Sequence, residues 1–575
     1  MNTSATYNHP NTLTQRNCIR TILCPILLLA APLFLGACGG GSSDTAPLAS
    51  YTIGGTVNGL NGNGLMLRVN GNNDLAITTD GVFTFTNVIS SGSSYSVSVA
   101  TQPTNQNCTI DNGGGTVSGN IANIEVNCFA LQSVVYTRLA GGTQQDLFLV
   151  KEDGSGLVTL ADTIDPEYFE AVTPTGKILY LNAADDLQIA NADGTGSVFL
   201  ASNASIREDL ASVTTSGRVI LSRFNSLYSV NTDGTGLVGF GAAGTENFAG
   251  ISPGGKIIFS RFDNAVPDKH TILSSNADGT GEVQISPTNT SEYEVIVAIT
   301  PSGRVIFQRS AGIGDAYQRD LFSINEDGSG LVTLSNDALS DEFIALIANE
   351  RVIYRRPPSP LLPWGELYSV KADGTGAATL TSSSDNEYYS GATADGKVIY
   401  FRDVYDPVAQ ITQSDLYIIN ADGTGLIALG ATPDSEYFAD VTPAGKILFT
   451  RSSAGQTDLY LINADGSGEQ RLTNTAEDEY FNCSVACVAA NGRLIFSRVS
   501  GNQSDLFSIR PDGTAEQILA NTTDNEYISG ITASSRVIFE RTVGNQNNLY
   551  SINADGTDLR TLADTADSET LSAIY

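Results

Sequence analysis

The residues with the most chemistry in this chain are carboxylates. Glu167, Glu208, Glu246, Glu292, Glu342, Glu387, Glu436, Glu479, Glu526 and Glu569 recur through its C-terminal four-fifths, and an aromatic ring follows directly in pairs such as Glu167-Tyr168, Glu387-Tyr388, Glu436-Tyr437 and Glu526-Tyr527. Carboxylates converging on one opening would attract cations or cationic groups. Two of them with separated pKa values could also cleave a glycosidic bond. Ten near-equivalent acids argue against catalysis, which needs an asymmetric pair, and no catalytic residue is assigned. A structural reading competes with the binding one. Nine units end the next strand in arginine (Arg138, Arg223, Arg261, Arg309, Arg356, Arg402, Arg451, Arg498, Arg541), with Asn182 the exception, so a hairpin would bring each acid to a cross-strand ion pair.

Composition narrows the field further. The 575 residues carry 62 Asp+Glu against 30 Lys+Arg, a net charge of −32, and only His9 and His270 offer an imidazole. Nucleic acid is excluded as a partner, because neutralising phosphates takes clustered Lys and Arg. The loops Asn191 to Gly196, Asn276 to Gly281 and Asn420 to Gly425 are rich in oxygen atoms but lack the strong terminal acid of a calcium loop, so they read as hairpin turns. No metal site is assigned, and a structural divalent cation is the one cofactor left open.

The elements that must position these residues repeat. Asp146-Leu147-Phe148, Asp320-Leu321-Phe322, Asp458-Leu459-Tyr460 and their counterparts mark ten units at intervals of 40 to 49 residues, close to one four-stranded propeller blade. A full unit runs from Glu436 through Thr442-Pro443, then Gly445 to Arg451, then Asp458 to Asn463 with Ala464-Asp465-Gly466, and closes at Leu472-Thr473. This unit resembles the TolB-type propeller repeat over about 440 residues, with Val-Thr-Pro-x-Gly standing where that family has Trp-Ser-Pro. The array starts at a second strand (Val134 to Arg138) and ends in an isolated first strand (Glu569 to Tyr575), which predicts closure by pairing of the two. One ring of ten is favoured over two smaller rings. The fold class expected is all-β: a small β-sandwich, then a β-propeller of about ten four-stranded blades.

Ahead of the array, residues 51–129 alternate apolar and polar positions between Gly- and Asn-rich turns, as an antiparallel sandwich of short strands would. This segment resembles the immunoglobulin-like and carboxypeptidase-regulatory-like modules that space bacterial surface proteins from their anchors. Residues 1–37 read as a signal peptide, with Arg16 and Arg20 before an apolar run ending in Leu35-Gly36-Ala37-Cys38. That ending resembles the bacterial lipobox, which implies lipidation of Cys38 and a flexible Gly/Ser linker over 38–50, and Gly39 implies outer-membrane sorting. The remaining cysteines form two local pairs, Cys108 with Cys128 and Cys483 with Cys487, expected as disulfides in an oxidising compartment. The propeller domain is taken as 131–575. The expected protein is a non-catalytic lipoprotein of the outer membrane, facing the periplasm or the outside. It would present a surface to protein, peptidoglycan or glycan partners, the alternative being a carbohydrate-active hydrolase or lyase with carboxylates at the channel mouth.

Overall fold

The computed structural model describes residues 49–575 apart from 201–206, 242–244, 263–269, 288–292, 312–317, 337–338, 358–364, 384, 407–410, 431 and 482–486. The signal peptide, Cys38, Glu292 and Cys483 therefore lie outside the described residues.

Ten four-stranded antiparallel sheets make up residues 133–574, and nine of them take their four strands in chain order, as in Ser435–Val441, Lys446–Ser453, Gln456–Asn463 and Gln470–Arg471. These strands are a, b, c and d of a blade, and blades are numbered in chain order. The b and c strands are continuous apolar runs: Ile178–Leu181 is buried at every position. A strand that alternated apolar and polar residues could cover only one neighbour, whereas these are packed on both faces.

The packing shows what those faces meet. Leu448, Leu459 and Leu461 of the eighth blade interlock with Leu494 and Phe496 of the ninth, and an equivalent cluster joins each successive pair of blades. Val134, Tyr136 and Phe148 of the first blade pack against Ile538, Leu549 and Leu562 of the tenth. The cycle of interfaces thus returns to its start. Within the first blade, Ser568–Ile574 supplies the a strand, pairing with Ser133–Ala140 from Val134 opposite Ile574 to Leu139 opposite Ser568. Neighbouring a strands approach one another, so they surround the axis. Nine of the ten carry a β-bulge, such as the one between Phe438 and Asp440.

Each blade has two ends. The a–b turn (Thr442 to Gly445 in the eighth blade) and the c–d turn (Asn463 to Gly468) lie at one end, the turn face. The b–c and d–a connections lie at the other, the loop face. Gly445, with φ of 76°, occupies a backbone region that side chains disfavour.

The small domain is a sandwich of two four-stranded sheets with one common core, including Ile53, Leu67, Ile124 and Val126. It is not wholly antiparallel, as the alternation had suggested: Ile121–Ala130 runs parallel to Ile53–Asn58, because alternation reports burial and carries no strand direction. Cys108 and Cys128 are register partners on adjacent strands and are disulfide-bonded. Cys487 is buried in the core between the eighth and ninth blades, and its expected disulfide partner, Cys483, lies outside the described residues.

The sandwich docks on the turn face at the closing seam. Asn107 donates to Asn553 Oδ1 (3.2 Å) and Ser534 Oγ (3.4 Å) of the tenth blade, and Ser534 donates to Glu152 of the first (2.9 Å). Here the a–b turn reads Thr532-Ala533-Ser534-Ser535, and Ser535 holds φ of 65° where seven blades have glycine and the sixth has Glu350. Both serines are fully buried, and Ser535 Oγ accepts from the Asn491 backbone N–H of the ninth blade (2.8 Å).

Candidate functional site

The recurring acids among the described residues sit at the loop face, where strand a begins opposite the end of strand b. Glu436 lies across from Arg451, Glu208 from Arg223 and Glu526 from Arg541. Nine ion pairs follow: Nε to carboxylate is 2.9 Å for Arg451–Glu436 and Arg498–Glu479, 3.0 Å for Arg261–Glu246 and Arg541–Glu526, and 3.3 Å for Arg138–Glu569. Arg402–Glu387 is looser at 3.4 Å, and Arg223–Glu208 completes the set with the two pairs described next.

Two of the named acids are not the ones the fold uses. Glu292 lies outside the described residues, and Glu294 takes the register position opposite Arg309 (2.8 Å). In the sixth blade Asp341 is fully buried and meets Arg356 at 2.7 Å, while Glu342 is 38% exposed and pairs with the additional Arg355. Two acids in succession at each place made the choice ambiguous by residue type. A fixed spacing of fifteen residues to the arginine, seen in Glu208–Arg223 and Glu436–Arg451, would have resolved it.

Eight of the nine guanidinium groups also lie over an aromatic ring of strand c, at 4.4 Å from the Tyr460 centroid for Arg451, 4.3 Å from Phe507 for Arg498 and 4.2 Å from Phe148 for Arg138, whereas Arg261 lies over Phe259 of strand b. The ring of the Asp-Leu-Tyr repeat is therefore a platform for the arginine. In six blades a hydroxyl four residues before the acid donates to it: Thr163, Ser383, Thr432, Thr475, Thr522 and Thr565. This Thr-x-x-x-Glu signal was readable in the chain and was missed. Glu167 has the hydroxyl but, with Asn182 in place of arginine, no ion pair among the described residues.

These carboxylates do not reach solvent. Glu167, Glu208, Glu246, Glu387, Glu436, Glu479, Glu526 and Glu569 are each 2% exposed or less, so the expected ring of accessible acids at a channel mouth is corrected to a ring of buried ones. Alternation along strand a explains it, since neighbours of a buried residue point the other way. What is exposed there is the following residue: Tyr168, Tyr437 and Tyr527, with Val295 and Glu342. Burial drives the acids toward protonation, pushing Glu436 up to about 7 against the opposing pull of Thr432 and Arg451. Glu387, Glu479, Glu526 and Glu569 shift in the same direction for the same reason. Chemically the arrangement locks a hairpin. A substrate cannot touch these groups, and acid–base cleavage loses the residues considered for it. Among the described residues no three His, Cys, Asp or Glu side chains are grouped to hold a metal ion.

No family model and no curated protein sequence matches the chain. Solved structures do. A putative TolB from Agrobacterium tumefaciens is 15% identical, with 41% of this chain and 85% of that one covered and a TM-score of 0.25. TolB from Acinetobacter baumannii is 16% identical, covering 56% of this chain and 80% of that one at a TM-score of 0.26. A eukaryotic initiation factor is 10% identical, covering 78% and 98% at a TM-score of 0.44. The assignment of a β-propeller rests on the strand pairing and the cycle of blade interfaces.

Proposed function

We propose that the chain is a non-catalytic cell-envelope propeller, lipid-anchored to the outer membrane through Cys38, whose loop face is a binding platform for a protein, peptidoglycan or glycan partner. The supporting observation is the division of labour between the two ends of the ring. The sandwich occupies part of the turn face. The loop face carries exposed Ile164, Tyr168, Phe224, Tyr405, Tyr437 and Tyr527. Exposed aromatic and aliphatic side chains gathered at one end are the usual anchors of recognition surfaces. The arginines opposite the strand-a acids are held in their ion pairs, while Arg207 and Arg319 are exposed at that end, so its accessible chemistry is aromatic with charges of both signs.

In-cell photo-crosslinking tests this. A crosslinking residue at Tyr437 or Tyr527 is expected to capture a macromolecule, and one at Ala444 on the turn face is not; capture only from Ala444 would reject the platform. Cys38→Ser is expected to release the chain from the membrane fraction. Retention there would reject the anchor.

A further inference from the structure

The second blade is the one whose strand b does not end in arginine. Its strands Tyr168–Val172, Ile178–Leu181 and Leu187–Ala190 pair so that Glu167, Asn182 and Asp186 stand in one row across the sheet, on one face. In the eighth blade that row is Glu436, Arg451 and Asp458, with the guanidinium in the middle. Asn182 does not replace it. Its Oδ1 turns back into its own b–c turn, accepting from the Ala184 and Asp186 backbone N–H groups (3.0 and 2.9 Å). A second donor is missing as well. In the first, seventh and ninth blades a glutamine two residues before the strand-c aspartate donates to it: Gln144 to Asp146 (3.1 Å), Gln413 to Asp415 (2.6 Å) and Gln503 to Asp505 (2.9 Å). The second blade has Ala184 there.

Two buried acids are left without the donors their counterparts have. Asp186 is 6% exposed, and its side chain has no hydrogen bond or ion pair among the described residues. Glu167 is 2% exposed and accepts from Thr163, but its Oε2 has no partner. Burial pushes the Glu167 carboxyl above its ordinary value, and Asp146 and Asp162 push the same way. Carboxylates this far from water need a counter-charge or a donor. The neighbouring arginines are engaged elsewhere: Arg138 by Glu569 (3.3 Å), Arg223 by Glu208, and Arg207 by Asp209 (2.6 Å) and Asp185 (3.6 Å). The other blades show what fits. Nine hold a guanidinium at this position, and its side chain stays 7–26% exposed, so the position opens onto the loop face. Gln188 stands where eight of those blades have the strand-c ring, but its register partner Phe199 is 50% exposed. Asp162, Asp165 and Asp209 are exposed at the same end, a rim that attracts a basic segment. A divalent ion fits less well, since no third acid is grouped with these two among the described residues.

We infer that the second blade receives an arginine side chain of a protein partner, seated between Glu167 and Asp186 where the other blades hold their own. This rests on the loop face being the binding platform and names the chemistry its partner carries there. Calorimetric titration of the full chain in detergent tests it with three probes: N-acetyl-arginine amide, the citrulline amide that keeps its shape without its charge, and calcium. The arginine probe is expected to bind saturably and the citrulline probe at least about tenfold more weakly, through loss of the charge-assisted contacts. Asn182→Arg is expected to fill the position from within, abolishing that binding and raising the melting temperature. Glu167→Gln is expected to weaken binding about tenfold. The citrulline comparison uses the unaltered chain, so it does not depend on either variant folding. Equal binding of the two amides, saturation by calcium in place of arginine, or no binding of the arginine probe at about 10 mM would overturn the inference. So would arginine binding that survives in folded Asn182→Arg. Crosslinking capture at Tyr437 or Tyr527 without arginine binding removes this site and leaves the platform; arginine binding without capture does the reverse.

Discussion

The two ends of every blade hold carboxylates in opposite electrostatic states. At the loop face an acid such as Glu436 is buried beside an arginine and raised toward protonation by lost hydration. At the turn face Asp465 is exposed, accepts from the Ser467 backbone N–H (2.9 Å) and hydroxyl (2.6 Å), and is held below its ordinary range by that hydroxyl. Asp193, Asp233, Asp278 and Asp422 repeat this with threonine. Residue type alone does not decide what a repeated acid does. Its neighbours and its access to water do.

Breaking the buried end should have the largest effect. Arg451→Ala strands Glu436 and Glu469 and is expected to lower stability by about 3–5 kcal/mol, read from the urea midpoint. Next comes the sixth blade, where Asp341→Asn should cost several times more than Glu342→Gln, since only Asp341 is fully buried; equal costs would show that burial is not what separates them. At the turn face, Asp465→Ala removes an exposed local turn bond and is expected to move the urea midpoint least of the three.

The pH dependence sharpens the contrast most finely. A carboxyl whose folded pKa lies above its unfolded value keeps a proton that the unfolded chain gives up, so its contribution is complete below the ordinary 4.5 and is lost as pH rises toward about 7. The turn aspartates act the other way. Their contribution is present above the ordinary 3.8 and is lost as pH falls below it. The interval between about pH 5 and pH 7.5 therefore belongs to the buried acids, and melting temperature is expected to fall across it. Glu436→Gln should shallow that fall; an unchanged slope would show that Glu436 takes no part in it.

Much of this was legible before the coordinates. The Asp-Leu-Tyr strands, the Asp-Gly turns and the split first unit placed the blades because each is a local pattern with a local cause. The acid–arginine pairing followed from hairpin geometry. Which acid occupies the pairing position did not, since Asp341-Glu342 and Glu292 with Glu294 each offer two candidates and register shifts by single residues. Accessibility was misjudged for a related reason: a ring of acids at strand starts looks like a charged opening until the aromatic partners and arginines are seen to cover it. The docking site left a trace that was not followed. Ser535 stands, where the sandwich lands, at the position seven blades give to the turn glycine, although the sixth departs there too, with Glu350.

The first blade takes its innermost strand from Ser568–Ile574, about 430 residues downstream of the strand it covers. During synthesis or export the edge at Ser133–Ala140 stays bare until that segment emerges, while later blades can already stack on their neighbours. Assembly of the wheel thus has a built-in order in which its earliest strands are finished last, and a product cut short before Ser568 would leave one sheet edge open to pairing with another chain.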